Sequence, residues 1–486
     1  MALGRRALHG LIWMLAQNVA ARASGLVSQL LLAALLVPAD FGIIGLTYTV
    51  FNVAAALTNV GIDDVVLQRR RALGLWAGAA FWISFGLALL AGVVVVAVSP
   101  LAAHLYKTPQ LVGMLSILAL SMPLGALSTV PQMVLRARMQ FGVLAVYGTV
   151  ETLGLAVLTV LFAWAGFGPY SFAIPAPIMA AVRTVALWRL SGARTSFRPQ
   201  RARWKYVIGS TAVIFTTKAA TALINQGDYV VLGLLATQDV VGAYYFGFRL
   251  AAQPLWMLAG NFSNVLFPML VQLKSDPARQ RDAALRASTL LSFCVMPLAL
   301  VQAAIAAPLV TSLFGQKWAA SIPIIQLLSV GLALDAVSWV AGALLNARGE
   351  FRTVLNWVLA QVPLFFVLVT IGARLDSSVG VAWGVCAFYA ITQPIFVISA
   401  YRKVGITVSQ VAAIYLRPLA LAATAVGAGV AVAALPLLAD RPLSRIAIIG
   451  IIGVSLYGAL TRWAAPKVWN ELRDRILGVL RRPVPS

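Results

Sequence analysis

Charge is scarce in this sequence. Only 10% of its 486 residues are Asp, Glu, Lys or Arg, while 61% belong to the hydrophobic set. Soluble proteins carry roughly a quarter charged residues, and no water-soluble core absorbs so much apolar side chain. Water is therefore not the main solvent. Acids are scarcer still, 14 against 37 Lys and Arg, for a formal net charge of +23. The two cysteines, Cys294 and Cys386, both lie in apolar runs, which excludes a disulfide framework or a metal-ligand spacing. The two histidines, His9 and His104, stand far apart without acidic neighbours, which argues against a histidine-based metal site or general base. Long connections are missing too. The longest, Arg189 to Lys205, has about 17 residues and leaves no room for a soluble domain.

What is present in abundance is long apolar runs. A crossing helix needs about 20 such residues. Cutting wherever charges or turn residues cluster gives fourteen runs, near 11–37, 41–62, 75–98, 110–134, 143–165, 168–188, 206–235, 241–271, 287–314, 320–345, 353–373, 379–400, 409–436 and 443–461. The first does not read as a cleavable signal peptide, because Arg22 interrupts it and no small-residue cleavage site follows.

The charges then sort by side. Alternate loops and both ends hold 27 Lys and Arg, including Arg69–Arg71, the group from Arg189 to Lys205, and Lys274 to Arg286. The opposite loops hold five: Lys107, Lys317, Arg374, Arg441 and Arg445. This is the positive-inside asymmetry, and it predicts both termini in the cytoplasm. It also excludes nucleic acid as a partner, since the basic charge is spread over eight loops facing anionic lipid headgroups. Beyond the last run, Trp469, Leu472, Ile476 and Val479/Leu480 recur at helical spacing, predicting an amphipathic helix over 466–480 that lies on the cytoplasmic surface.

An internal repeat is visible. Runs one and two are linked by Leu36-Val-Pro-Ala-Asp40-Phe-Gly42, runs seven and eight by Leu235-Ala-Thr-Gln-Asp239-Val-Val-Gly242. Each link is a short outer turn with an Asp placed as N-cap of the next helix, then Gly. Each follows a run with a cation at its middle, Arg22 or Lys218. Six runs separate the copies, so both face the same way, and a two-fold axis along the membrane normal follows. The expected organisation is an N-lobe (1–190), a cytoplasmic basic linker (191–205), a C-lobe (206–403), two extra helices (404–463) and the tail (464–486).

Eight charges sit inside runs: Arg22, Glu151, Arg183, Lys218, Asp228, Arg249, Asp335 and Arg417. Each costs roughly 2.5–3.5 kcal/mol at mid-membrane on insertion scales, so it normally faces protein or a watery cavity. Several belong to polar stripes at helical spacing: Asn18, Arg22, Gly25 and Gln29; Tyr48, Asn52 and Asn59; Thr211, Lys218, Thr221 and Asn225, with Asp228 near that face; Tyr245, Arg249, Gln253, Trp256 and Gly260; and Asp335, Ser338, Gly342 and Asn346. Lone amides such as Asn59, Gln302 and Gln361 read as hydrogen-bonding glue between helices. Arg183 and Arg417, within about two turns of the inner end, are placed to snorkel. The stripes centred on Arg22, Lys218 and Arg249 read instead as lining of a hydrated cavity for an anion. In a bilayer the available anions are phosphates of lipids or lipid-linked intermediates. Tyr48, Tyr245 and Trp256 offer faces for sugar rings, though packing or lipid contact is the commoner use of such residues. Glu151, Asp228 and Asp335 are the acids well inside runs, and so the candidates for ion coupling.

Several short motifs, in order, resemble the polysaccharide transporter (oligosaccharide flippase) family: Leu36–Gly42, Asn225-Gln-Gly-Asp-Tyr-Val-Val-Leu-Gly233 with Gly242-Ala-Tyr244, Val265-Leu-Phe-Pro268, Leu313-Phe-Gly-Gln-Lys-Trp318 and Leu344-Leu-Asn-Ala-Arg-Gly349. Their order and spacing follow the family from about residue 11 to 400. The resemblance implies an all-α polytopic membrane protein of the multidrug/oligosaccharidyl-lipid/polysaccharide flippase superfamily. It would have fourteen transmembrane helices, two pseudo-symmetric six-helix lobes around a central cavity and two extra helices. It implies translocation of undecaprenyl-diphosphate-linked oligosaccharide repeat units across the bacterial inner membrane by alternating access, driven by a proton or sodium gradient and without a bound cofactor. Expected partners are that lipid-linked oligosaccharide, membrane lipids, and the polymerase and chain-length regulator of the same pathway. On this resemblance Asn18, Arg22, Asn52, Lys218, Asn225, Tyr245, Arg249, Gln253 and Trp256 are the substrate-binding candidates. Lipid II flippases of the superfamily likewise carry cavity arginines on helices 1 and 8, matching Arg22 and Arg249. A multidrug exporter would want mid-membrane acids in excess, whereas five of the eight charges here are basic. A polysaccharide polymerase or glycosyltransferase would want a sizeable outer loop or an acidic metal site, and the outer loops have about 4–12 residues.

Overall fold

The computed structural model describes residues 25, 27–58, 73–138, 140–193, 204–436 and 441–480. No strand occurs among them. The helices are α1 (Pro38–Thr58), α2 (Leu73–Leu105), α3 (Gln110–Ala126), α4 (Thr129–Ala137), α5 (Phe141–Trp164), α6 (Pro175–Ser191), α7 (Trp204–Leu235), α8 (Gln238–Gln272), α9 (Pro277–Leu309), α10 (Ile322–Arg348), α11 (Phe351–Arg402), α12 (Val408–Ala433), α13 (Pro442–Ala464) and α14 (Pro466–Leu480). Nine segments of the described residues, or ten if the bent pair α3–α4 is one span, are long and apolar enough to cross a bilayer. One of the nine, α11, has 52 residues and is two crossings: its backbone leaves helical geometry at Asp376 and Ser377, where a connection was expected. α7 and α8 fall outside the nine, although their 32 and 35 residues exceed what a crossing requires. Most of the expected first crossing lies outside the described residues, so the described residues do not count out to fourteen crossings.

The chain forms two compact units, Met1–Gly242 and Ala243–Ser486. In the first, α2 packs along α3, α3 along α6, and α1 against α7. α2 shows how a membrane helix divides its surface. Leu89, Leu90, Val93 and Leu101 are exposed for lipid, while Ala80, Ala88 and Ala91 are buried. At Gly92, on that small-residue side, a methyl group would stand 3.2 Å from the Ala119 carbonyl oxygen of α3.

The starts of α1 and α8 meet within this unit in a reciprocal contact. A side chain on Gly42 would overlap the Gln238 carbonyl, and one on Gly242 would overlap the Pro38 carbonyl. The repeat read from the sequence is thus also a packing motif. One detail differs from expectation: Asp40 is not the N-cap. Pro38 takes the first helical position, which suits its fixed φ and missing N–H. Asp40 therefore falls in the first turn, where its Oδ2 accepts the Val37 N–H at 3.1 Å. Asp239 likewise lies in the first turn of α8.

Prolines inside the helices explain much of the side-chain bonding. A proline has no N–H for the carbonyl four residues back, and in lipid an unmet carbonyl costs several kcal/mol. Ser99 Oγ donates to Val96 O at 2.8 Å, opposite Pro100. Trp188 Nε1 donates to Leu127 O at 2.9 Å, opposite Pro131, at the 41° bend between α3 and α4. In the second unit, Gln302 Nε2 donates to Leu250 O at 2.7 Å, opposite Pro254, and the Tyr457 hydroxyl donates to Phe293 O at 2.9 Å, opposite Pro297. In three of the four, the donor comes from a different helix. Gln302 is the helix-to-helix glue expected of it.

The second unit is built on α9, which contacts α10, α12 and α13. The two legs of α11 fold back closely at glycines. Side chains on Gly372 and Gly380 would each overlap the other's carbonyl, and Gly384 packs on Leu368 O. In the tail helix α14, Val468 and Leu472 pack against the cluster of Phe293, Ala422, Ala425 and Tyr457, while the side chains of Ile476, Val479 and Leu480 lie outside those described. Arg286 Nε and Glu471 Oε2, 2.6 Å apart, fasten α14 to α9. Helical spacing marks an apolar face but cannot say whether lipid or protein covers it.

Candidate functional site

Arg22 and Asn18 lie outside the described residues. In the first unit, α1 and α7 place the remaining candidates. Asn52 is exposed on α1, and the Tyr48 hydroxyl one turn earlier donates to Phe172 O at 3.3 Å. On α7, Lys218 is half-buried, Asn225 is exposed and Asp228 is 2% exposed. Lys218 and Asp228 are both engaged with neighbours. Ten residues of helix separate them, about 15 Å along the axis, so they are not partners along α7. Asp228 Oδ1 accepts the Tyr229 N–H at 2.9 Å.

Glu151 and Arg183 are brought together. Arg183 Nη1 lies 3.5 Å from Glu151 Oε1, joining α5 to α6, both side chains about a quarter to a third exposed. This corrects the expectation that Arg183 merely snorkels. A signal for the pairing was present in the sequence. α5 and α6 run in opposite directions, and Glu151 and Arg183 stand at similar distances from the inner ends of their runs.

In the second unit, the stripe on α8 stands as its spacing predicted. Arg249 Nη1 donates to the Tyr245 hydroxyl at 3.4 Å, one turn earlier. Gln253 is half-buried. Trp256 is exposed, its ring edge-on to Phe248 at 5.7 Å. On α10, Asp335 is held by neutral donors of its own helix: Ser338 Oγ to Oδ1 and Trp339 Nε1 to Oδ2, each at 2.9 Å. The spacings of three and four residues make those contacts natural on a helix. Among the described residues no Lys or Arg pairs with Asp335. Trp339, which sequence reasoning did not single out, links two stripes: its ring faces Gly260 of α8, where a methyl group would stand 3.6 Å away.

Chemically, α8 offers a guanidinium flanked by a phenol, an amide and an exposed indole, a set suited to an anion carrying sugars. Asp335 offers a carboxylate with hydrogen-bond donors and no counter-cation, a group that can take a proton or a small cation.

Comparison with known proteins adds three findings. A family model described as polysaccharide biosynthesis protein matches residues 31–323. The chain is 24% identical to the lipopolysaccharide biosynthesis protein WzxC of Escherichia coli (strain K12), over 83% of this chain and 84% of that one. It is 26% identical to the succinoglycan biosynthesis transport protein ExoT of Rhizobium meliloti (strain 1021), over 74% and 73%. Its fold matches the lipid II flippase MurJ in an inward closed conformation with a TM-score of 0.74, covering 96% of this chain and 99% of that one at 14% identity.

Proposed function

This chain belongs to the polysaccharide biosynthesis protein family, and from that membership we propose that it is a flippase for lipid-linked oligosaccharide repeat units. The substrate class is an undecaprenyl-diphosphate carrying a short oligosaccharide, delivered from the cytoplasmic to the outer leaflet of a bacterial inner membrane for a surface polysaccharide. Relatives named for lipopolysaccharide biosynthesis and succinoglycan transport support the cargo, and the fold shared with a lipid II flippase supports alternating access. The topology that fits is fourteen crossings with both termini cytoplasmic, since that puts 27 of the 37 cations on one side.

The observation that carries the ligand's charge is Arg249 with its polar stripe inside a membrane helix. A guanidinium fork can hold two oxygens of a diphosphate at once, and away from bulk water that attraction is much stronger. It offsets dehydration of a headgroup that would not cross hydrocarbon unaided. On this reading Arg22, Lys218 and Arg249 act on the diphosphate, and Asn18, Asn52, Asn225, Tyr245, Gln253 and Trp256 on the sugars. Glu151, Asp228 or Asp335 couples transport to an ion gradient. Asp335 is the best placed of these, because Glu151 has Arg183 as a partner.

The test is complementation of a deletion strain. The deletion should lose surface polysaccharide and accumulate lipid-linked units with the sugars still facing the cytoplasm. Arg249→Ala should reproduce that phenotype with the protein present in the membrane, and Arg249→Lys should restore part of the export. Full complementation by Arg249→Ala, like that by Arg22→Ala, removes the cationic mechanism. A deletion that leaves lipid-linked units normal removes the substrate.

A further inference from the structure

A cavity of about 450 Å³ opens in the second unit, where α9 gives way to the π-helical turn Val310–Phe314, beside the end of α12 and the start of α13. Its size is that of a small-ligand site. Small residues create it: Ala304, Ala307 and Pro308 line one face and Ala433 another, where longer aliphatics would close the gap. Its floor is sealed by Ile449, packed with Val426 and Ala433.

Arg445, in the first turn of α13, is the charged residue of this lining; the hydroxyl of the other polar side chain there, Thr311, donates to Ala307 O at 2.9 Å. The Arg445 Nε is buried and meets no hydrogen-bond partner among the described residues. Among the described residues no carboxylate pairs with it; the nearest acid in sequence, Asp440, lies outside them. A buried, unmet guanidinium nitrogen is costly. Ala304, one of the lining residues, brings a second polar group, its backbone carbonyl. Pro308 has no N–H for the Ala304 carbonyl, and no side chain among the described residues replaces it, unlike the carbonyls opposite Pro100, Pro131, Pro254 and Pro297. The first turn of α13 also lacks a side-chain cap, so its free N–H groups add positive potential at this end. Of the lining residues Val430 is exposed, and so are Leu435 and Leu443, two and one positions beyond the lining residues Ala433 and Pro442, the surface a helix turns to lipid.

We propose that this cavity binds the phosphodiester headgroup of an anionic membrane lipid. Arg445 and the first turn of α13 take the phosphate, and the Ala304 carbonyl takes a headgroup hydroxyl. The exposed apolar rim seats the first methylenes, which favours a lipid over a soluble anion. The site belongs to the leaflet opposite the basic loops, since α13 begins from a connection of the sparsely charged side, with Arg441 before its first residue and Arg445 in its first turn. It is independent of the transport reading.

The full-length protein in detergent is titrated with phosphatidylglycerol or phosphatidylcholine, and retained lipid is read by native mass spectrometry. Wild type should retain phosphatidylglycerol preferentially. Arg445→Ala should weaken that retention roughly tenfold to a hundredfold, the scale of lost charge-assisted hydrogen bonds. Arg445→Lys should keep part of it. Ala307→Phe, which fills the cavity without touching the charge, should also abolish it while the thermal midpoint stays near wild type. Equal retention by wild type, Arg445→Ala and Ala307→Phe overturns the site. So does equal retention of both lipids, which would mean a seat for acyl chains only. Competitive displacement by millimolar inorganic phosphate overturns the lipid assignment in favour of a free anion. Weak retention by wild type that Asp440→Asn raises tenfold overturns it as well, since Asp440 would then be the native partner of Arg445.

Discussion

Replacing Tyr457 by Phe removes one oxygen and leaves the packing of a buried ring intact. That oxygen donates to Phe293 O at 2.9 Å, and Pro297 leaves the carbonyl no helical donor. The ring itself sits with Phe293, Ala422 and Ala425, and Phe preserves those contacts. The expected loss is therefore that of one hydrogen bond between helices, about 1 kcal/mol, within the roughly 0.6–2 kcal/mol found for such bonds in membranes, where the freed carbonyl finds other partners. The structure makes a sharper claim than the single number. In a Pro297→Ala background, residue 297 regains an N–H for Phe293 O, and the hydroxyl should then matter little. A double-mutant cycle in mixed detergent, followed by denaturant unfolding, should give a coupling energy close to the whole Tyr457→Phe effect. Contributions that add within about 0.3–0.5 kcal/mol would refute the idea that the hydroxyl stands in for the missing N–H.

The Glu151–Arg183 pair predicts that Glu151→Gln and Arg183→Gln each lower the thermal midpoint in detergent, while the double variant loses little more than either single one; additive losses contradict the pairing. Glu350, between α10 and α11, is pushed up by burial but pulled below the usual glutamate range by the hydrogen bond and charge of Lys403, with Thr353 and Arg348 adding donors. A depressed carboxylate stabilises the fold above its unfolded-state value, near ~4.3, and loses that contribution as pH falls through the folded value. The midpoint difference between wild type and Glu350→Gln should thus be full at neutral pH and shrink below about pH 4; a difference that grows on acidification has the wrong sign. Single cysteines at Gln110, Asp239 and Ser377, all exposed, should react with an impermeant thiol reagent from outside intact cells, and those at Ser275 and Ser409 should not. Thr108 is unsuited to that assay, being 1% exposed and hydrogen-bonded to Gln238 at 2.9 Å. A reversed pattern overturns the topology.

Much of the fold was legible because a bilayer imposes simple rules. Length of apolar run and side of charge located the helices, and the break at Asp376–Ser377 fell between two predicted runs. The stripe from Tyr245 to Gly260 was legible because a helix period fixes which residues share a face. What escaped depends on which helix lies next to which. Periodicity showed that Pro254 and Pro297 free carbonyls, but not that Gln302 and Tyr457 supply the donors. It placed Arg183 near an inner end but did not weigh Glu151 as its neighbour. It found the apolar face of α14 but not that Leu472 of that face packs on the cluster around Phe293. The Asp40 position was misread by three residues because Pro38, itself a strong first-turn residue, already begins the helix.

The contact between Gly42 and Gly242 ties each repeat to the backbone of the other. In a symmetric dimer, residue i of one copy meets residue j of the other, and j meets i. Here Gly42 meets the carbonyl of Gln238 and Gly242 meets that of Pro38, and each segment is the other displaced by 200 positions. That is the reciprocal contact pattern a two-fold axis produces between identical chains, here made between two segments of one polypeptide. Each glycine is confined by the backbone of the other copy, so neither can acquire a side chain through adjustments within its own repeat. A chain carrying one repeat alone would display this edge uncovered, and the partner best shaped to cover it would be another molecule of itself.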